Sequence, residues 1–216
     1  LRGAPPAVSD FDELGQPLGP LGRPNEERLA EAMRRRGIEY EAPRPLHAMV
    51  EERISRDEQS FVDMPVEHGR VYDAAGNAIY RAVGREYTLS FGAPRADMKD
   101  RVVTHNHTNG TSFSAKDLAR AGYFDVAELR IITRDATGQA WLYRLQRPER
   151  GWPRLKETSA QIYLAAGESA AAKRILGQGA TSTDAVADFV NNAMHYRMEH
   201  VATHFGLSYT REKVDC

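Results

Sequence analysis

A chain of 216 residues, 41% apolar and 27% charged with a formal net charge of −1, is long enough for one substantial core with appendages or for two small domains. Near-neutral charge argues against the broad basic footprint of a dedicated nucleic-acid binder, and no apolar run approaches the ~20 residues that span a bilayer. The single cysteine, Cys216, cannot close an internal disulfide, so nothing ties the chain to an oxidising compartment.

Residues 1–23 hold Pro5, Pro6, Pro17 and Pro20 with several glycines and no periodic apolar face, a linker-like composition. The opening LRGAPPAVSD does not read as a signal peptide, and Leu1 in place of Met points to a piece of a longer polypeptide. From Asn25, NEERLAEAMRRRG has an N-cap candidate, early acids, late bases and Gly37 as a stop. That pattern predicts a helix, with Arg34, Arg35 and Arg36 as a solvated face. PLHAMVEERISRDEQ predicts a second, with Leu46, Met49, Val50 and Ile54 as its apolar stripe.

The middle of the chain reads as β. GRVYD and AIYRAVG flank Ala74-Ala75-Gly76-Asn77 as a hairpin, EYTLSF and RVVTH follow as strands, and ELRIITRD and AWLYRL form a second hairpin around Ala136-Thr137-Gly138-Gln139. A helix opens near Ser114, between RVVTH and ELRIITRD. After Trp152 the chain turns helical. Val186, Phe189, Val190, Ala193, Met194, Met198, Val201, Ala202 and Phe205 recur at helical spacing. The expected fold is α+β. A central, mainly antiparallel sheet with an inserted helix occupies 61–150, between helical flanks at 24–60 and 151–216.

VVTHNHTNGTSFSAKDLARA, residues 102–121, carries the chemistry. Side chains two apart on a strand share a face, so His105 and His107 project together. Neutral imidazoles are good zinc ligands. The Asn109-Gly110 pair turns the chain back, and Asp117, one turn into the next helix, offers a third ligand. Three protein ligands leave a fourth position for water, as in catalytic zinc sites. Glu67, just ahead of the strand beginning near Gly69, is the candidate general base. Ser114 is the candidate hydroxyl for the oxygen that gains charge. A plainer reading stands beside this one: Ser-x-x-Asp at 114–117 is a capping box, and the histidines ride on an ordinary strand.

THNHTNGTSFSAKDL resembles the metal signature of the JAMM (MPN+) metalloproteases and of the RadC proteins: His-x-His-Pro, a short loop, then Ser-x-x-Asp. It departs from that signature at Thr108, which replaces the Pro, and in a loop to Ser114 one residue shorter. The resemblance implies a JAB/MPN-like core and a zinc held by His105, His107 and Asp117. It further implies Glu67 as base, Ser114 as oxyanion residue, and cleavage of a peptide or isopeptide bond in a protein or peptide substrate. A second likeness runs from EHGRVYDAAGNAI through ELRIIT to MEHVATHFGLSY, over residues 63–210. It is to C-terminal regions of phage Mu F-like head-morphogenesis proteins and polymorphic-toxin relatives. That likeness implies a bacterial or phage source and a domain attached to a longer protein. Its partner would be an immunity or phage-structural protein, and its location the cytoplasm or a target cell into which it is delivered.

Two rival readings remain open: a non-catalytic docking module with a vestigial site, and a metal-dependent nuclease-type toxin. The letters His-Asn-His at 105–107 do not make an HNH nuclease, whose three residues lie far apart in sequence. His200 and His204 share a helix face in HVATH, but Val201 stands where the Glu of His-Glu-x-x-His would be. They read as surface or core histidines.

Overall fold

In the computed structural model, which describes residues 26–42, 44–85, 89–177 and 183–215, two helices precede the first strand: α1 (Glu26–Arg35) and α2 (Ala48–Phe61). The hairpin β1 (His68–Tyr72) and β2 (Ala78–Val83) follows, then a single turn α3 (Arg95–Met98), β3 (Val102–His107), α4 (Ala115–Phe124), β4 (Glu128–Arg134) and β5 (Ala140–Gln146). Two long helices, α5 (Glu157–Gly177) and α6 (Thr183–Phe205), lead to β6 (Ser208–Val214). The strands form one sheet in the order β2-β1-β3-β4-β5-β6. Only β3 and β4 run parallel, joined through α4, and the other neighbours are antiparallel. The expected α+β class and mainly antiparallel sheet are both present. Among the described residues no helix is long and apolar enough to cross a membrane.

Each hairpin has a local cause. Asp73 Oδ1 accepts from the backbone N–H of Ala75 and Asn77, while Gly76 takes φ +76°. Asp135 Oδ1 does the same for Thr137 and Gln139, with Gly138 at φ +84°. Asx-type hydrogen bonding plus a left-handed glycine closes both turns.

The sheet's alternation divides the core. On one face, Val102, Thr104, Arg130, Ile132 and Leu142 meet α2 through Val50, Ile54, Glu58 and Phe61. On the other, Val71, Val103, Leu129, Ile131, Tyr143 and Tyr209 pack beneath α4, α5 and α6. The buried stripe of α2 therefore differs from the expected one. Met49 is 65% exposed and Phe61 is buried in its stead, because positions 50, 54, 58 and 61 share the inward side. Of the stripe expected on α6, Ala193, Met198, Val201 and Ala202 are buried and Met194 and Phe205 half-buried; Val186, Phe189 and Val190 lie outside the described side chains.

Two differences concern strands. Leu89, Ser90 and Phe91, expected to end the strand EYTLSF, are irregular backbone, and Glu86, Tyr87 and Thr88 lie outside the described residues. The segment expected to be a helical flank ends instead in β6, which pairs antiparallel with β5 from Ala140↔Val214 to Gln146↔Ser208. The linker-like residues 1–23 and the N-cap candidate Asn25 also lie outside the described residues.

Candidate metal centre

β3 lies inside the sheet and all six of its residues are buried. Val103, His105 and His107 face α4, and Thr104 and Asn106 face away. Asn106 ties β3 to the start of β1: its Oδ1 accepts from His68 N at 2.5 Å and its Nδ2 donates to Val66 O at 3.3 Å. β1 and β3 pair with Gly69 opposite His105. Glu67 lies two residues before Gly69, just outside the paired stretch, and feels the charge of both His107 and His105. Glu67 is held there by Gly84 N, which donates to its carbonyl at 2.7 Å. The general-base candidate chosen for its place at the sheet edge thus shares a cavity with both histidines.

The loop after β3 fixes His107. Gly110 adopts φ +74°, and Asn109 Oδ1 accepts from Thr111 N at 3.3 Å and from Thr111 Oγ1 at 2.6 Å. This turn brings the Thr111 carbonyl to 3.1 Å from His107 Nδ1. A carbonyl only accepts, so Nδ1 carries a proton, and Nε2 is the nitrogen that faces the cluster and that a neutral ring would offer to a cation. Asp117 is set by helix capping. Ser114 is the N-cap of α4: its Oγ accepts from Asp117 N at 3.2 Å, and Asp117 Oδ2 accepts from Ser114 N at 2.8 Å and Ser114 Oγ at 2.6 Å. The capping box foreseen as the plainer reading is present, and it aims the Asp117 carboxylate at the imidazoles.

The three donors converge. His105 Nε2 and His107 Nε2 are 3.1 Å apart; His105 Nε2 lies 3.5 Å from Asp117 Oδ1, and His107 Nε2 lies 3.4 Å from Asp117 Oδ2. A tetrahedron with corners about 2.0–2.1 Å from its centre has edges of roughly 3.3–3.4 Å. Right-angled ligands at the same distance would sit about 3.0 Å apart. One donor atom from each of the three residues lies within 4.8 Å of the other two, close enough to share a single ion. Among the described residues this is the only group of three or more His, Cys, Asp or Glu side chains that could hold a metal. His204 instead bonds Arg36 through Nδ1 at 2.9 Å and lies against Tyr163. His200 packs where α6 meets Gly167 of α5.

Electrostatics follow from burial. Burial alone would push the Asp117 carboxyl up, but His105 and His107 together pull it well below the usual carboxylate range. Burial pushes His107 down, yet the hydrogen bond and charge of Asp117, helped by Glu67, carry it above its ordinary value. Without a cation the cluster therefore favours an imidazolium–carboxylate pair. Glu67 is raised, because burial outweighs the pull of the two imidazoles; such a carboxylate is a stronger base than an exposed one.

All five candidate residues line one cavity of about 320 Å³, together with the apolar side chains of Leu89, Phe91, Met98, Val103 and Phe124. The strand pattern and the Ser-x-x-Asp spacing had identified the polar residues. They had not identified Thr111, Asn106 or the apolar part of the cavity. The Asn109-Gly110 turn was the available signal for Thr111; the other two depend on pairings between distant segments. No family model matches the chain, and no curated protein and no solved structure matches it.

Proposed function

We propose that the chain is a zinc-dependent hydrolase of JAMM type, with a JAB/MPN-like core, cleaving a peptide or isopeptide bond as an effector or phage-associated part of a longer protein. The observation that carries this reading is the convergence of His105, His107 and Asp117 on one point, with Glu67 lining the same cavity. Three protein ligands from a strand and a helix, with a carboxylate beside them, are what a water-activating site needs.

His105, His107 and Asp117 would hold the ion. When bound, zinc supplies Lewis-acid polarisation and acidifies water at the site. Glu67 accepts a proton from the attacking water, whose oxygen bonds to the amide carbon. As the C–N bond breaks, the Glu67 carboxyl gives that proton to the departing nitrogen, leaving a carboxylic acid and an amine. Burial serves this role, since it raises the affinity of Glu67 for the proton it must carry. Thr111 holds His107 in the tautomer that leaves Nε2 free. Ser114 keeps Asp117 oriented and, by turning its hydroxyl toward the substrate carbonyl, is the donor for the developing oxyanion.

The test compares wild type with Glu67→Gln and His107→Ala. Elemental analysis is expected to find one zinc per chain in wild type and in Glu67→Gln, and none in His107→Ala. Amide hydrolysis is expected to fall by more than about 10³-fold in Glu67→Gln, at the upper part of what acid–base catalysis contributes. Zinc-free wild type that takes up no added zinc would end this reading.

A further inference from the structure

The cavity that holds the His105/His107/Asp117 cluster is also lined by apolar side chains that a metal and a scissile amide do not use. Val103 precedes His105 by two residues on the same strand face, which puts it about 7 Å further along the sheet. Leu89, Phe91, Met98, Phe124 and Leu129 join Val103 in the lining, with Ser90 and Arg120 among them. Leu89, Met98, Val103 and Leu129 are each less than 9% exposed.

This recess is built by pinned segments. At Gly69, opposite His105, the sheet has no side chain, and the chain crossing at 89–91 occupies that space. An added Cβ there would meet the Leu89 side chain and stand 2.8 Å from Phe91 Cζ. On the far side, Arg120 of α4 donates from Nη1 to Leu89 O at 2.9 Å. The roof is thus seated on a bare backbone position of β1 and tied to the helix that carries Asp117. The result is a chamber with candidate ligands at one end and hydrocarbon at the other, within the size range of small-molecule pockets.

We infer that the recess is a specificity subsite for one bulky apolar side chain, aromatic or branched aliphatic, on the residue adjoining the scissile amide. A carbonyl placed at the cluster puts the side chain of its own or the next residue within reach of Val103. Glycine at that position leaves the recess without an occupant. Full burial of such a side chain strengthens binding by roughly one to two factors of ten, so the preference over glycine is at least about tenfold. The inference rests on the hydrolase reading for the word substrate. The recess as a binding site for an apolar side chain rests on geometry alone.

Two arms separate these. In the first, the metal-free chain is titrated with N-acetylphenylalanine amide or N-acetylglycine amide, and the methyl signals of Leu89, Met98, Val103 and Leu129 are followed by NMR. The phenylalanine compound is expected to give saturable shifts, the glycine compound none, and Ala93→Phe, which adds a ring to the cavity wall, is expected to abolish them. Phe91→Ala, which opens the recess, serves as second variant and is expected to weaken binding at least threefold. In the second arm, zinc-loaded chain is given peptides that differ only at the residue beside the cleaved bond. Phe or Leu is expected to exceed Gly at least tenfold in kcat/KM, and Ala93→Phe to remove that advantage. Equal shifts with both amides, or no shift at these methyls, overturns the subsite. So does equal turnover of the Phe and Gly peptides. Saturable Phe-specific shifts without cleavage of any peptide end the hydrolase reading and leave the subsite standing.

Discussion

Asp117 has two duties that meet in one carboxylate. Its Oδ2 closes the capping box with Ser114 while both oxygens face the imidazoles. Ser114→Ala removes the side-chain acceptor for Asp117 N and the donor to Oδ2. Loss of such a cap costs about 1 kcal/mol, and loss of an outer hydrogen bond to a metal ligand typically weakens metal affinity about 10–100-fold. We expect both effects, read by urea unfolding of metal-free protein and by competition titration with a zinc chelator. A stability loss with unchanged zinc affinity would reduce Ser114 to a helix cap. The cluster of candidate ligands was legible in the sequence, because strand alternation and the third position of a capped helix are local rules. The placing of Glu67 in the same cavity as the histidines was not. It depends on β1–β3 register, set between segments some thirty residues apart by Asn106 reaching the backbone of residues 66 and 68.

At the scale of elements, α2 is clamped to the sheet by charge as well as by apolar contact. The fully buried Arg130 guanidinium bonds Glu58 through Nε at 2.8 Å and Nη2 at 2.9 Å, and Glu51 through Nη1 at 2.9 Å and Nη2 at 2.8 Å. Thr104, on the reverse of the histidine strand, donates to Glu58 at 2.7 Å. Arg130→Met leaves Glu58 and Glu128 buried without their cation. Breaking one side of such a network costs about 3–5 kcal/mol, expected as a lower urea midpoint. A loss under 1 kcal/mol would show that the carboxylates find other partners. Nothing in the sequence of α2 marks Glu58 as a core residue; its partner comes from β4, seventy-two positions away. The two hairpins were legible because each turn carries an Asp and a Gly at the positions that need them. β6 was not, since SYTREKV runs three charges together and has only Tyr209 and Val214 as large apolar residues, and its partner β5 lies beyond two long helices. The strand expected from EYTLSF gives way at Leu89–Phe91 to irregular chain, which serves as the roof over Gly69.

Over the whole molecule, the cluster predicts how stability follows pH and how a cation changes it. Asp117 titrates well below its ordinary value of 3.8 in the folded chain. Its contribution is therefore present above 3.8 and is lost as pH falls through the lower folded value. Glu51, held below 4.5 by Arg130 and Arg144 against the cost of burial, behaves alike. His107 is displaced the other way, above 6.5. Its contribution is full below 6.5 and is lost as pH rises through the folded value. His107 and Asp117 report one ion pair and are counted once. Metal-free protein should then be most stable between about pH 4.5 and 6.5 on account of these groups, and should weaken toward pH 8.5. Zinc binding needs His107 as a neutral imidazole, so stabilisation by the ion grows over the same interval in which the ion pair is lost. The expected outcome is a Tm that falls from pH 6 to 8.5 without metal, and a difference between zinc-loaded and metal-free protein that widens over that range. Asp117→Asn should abolish both trends. A difference that stays flat with pH would mean that added zinc stabilises the chain at groups other than His107.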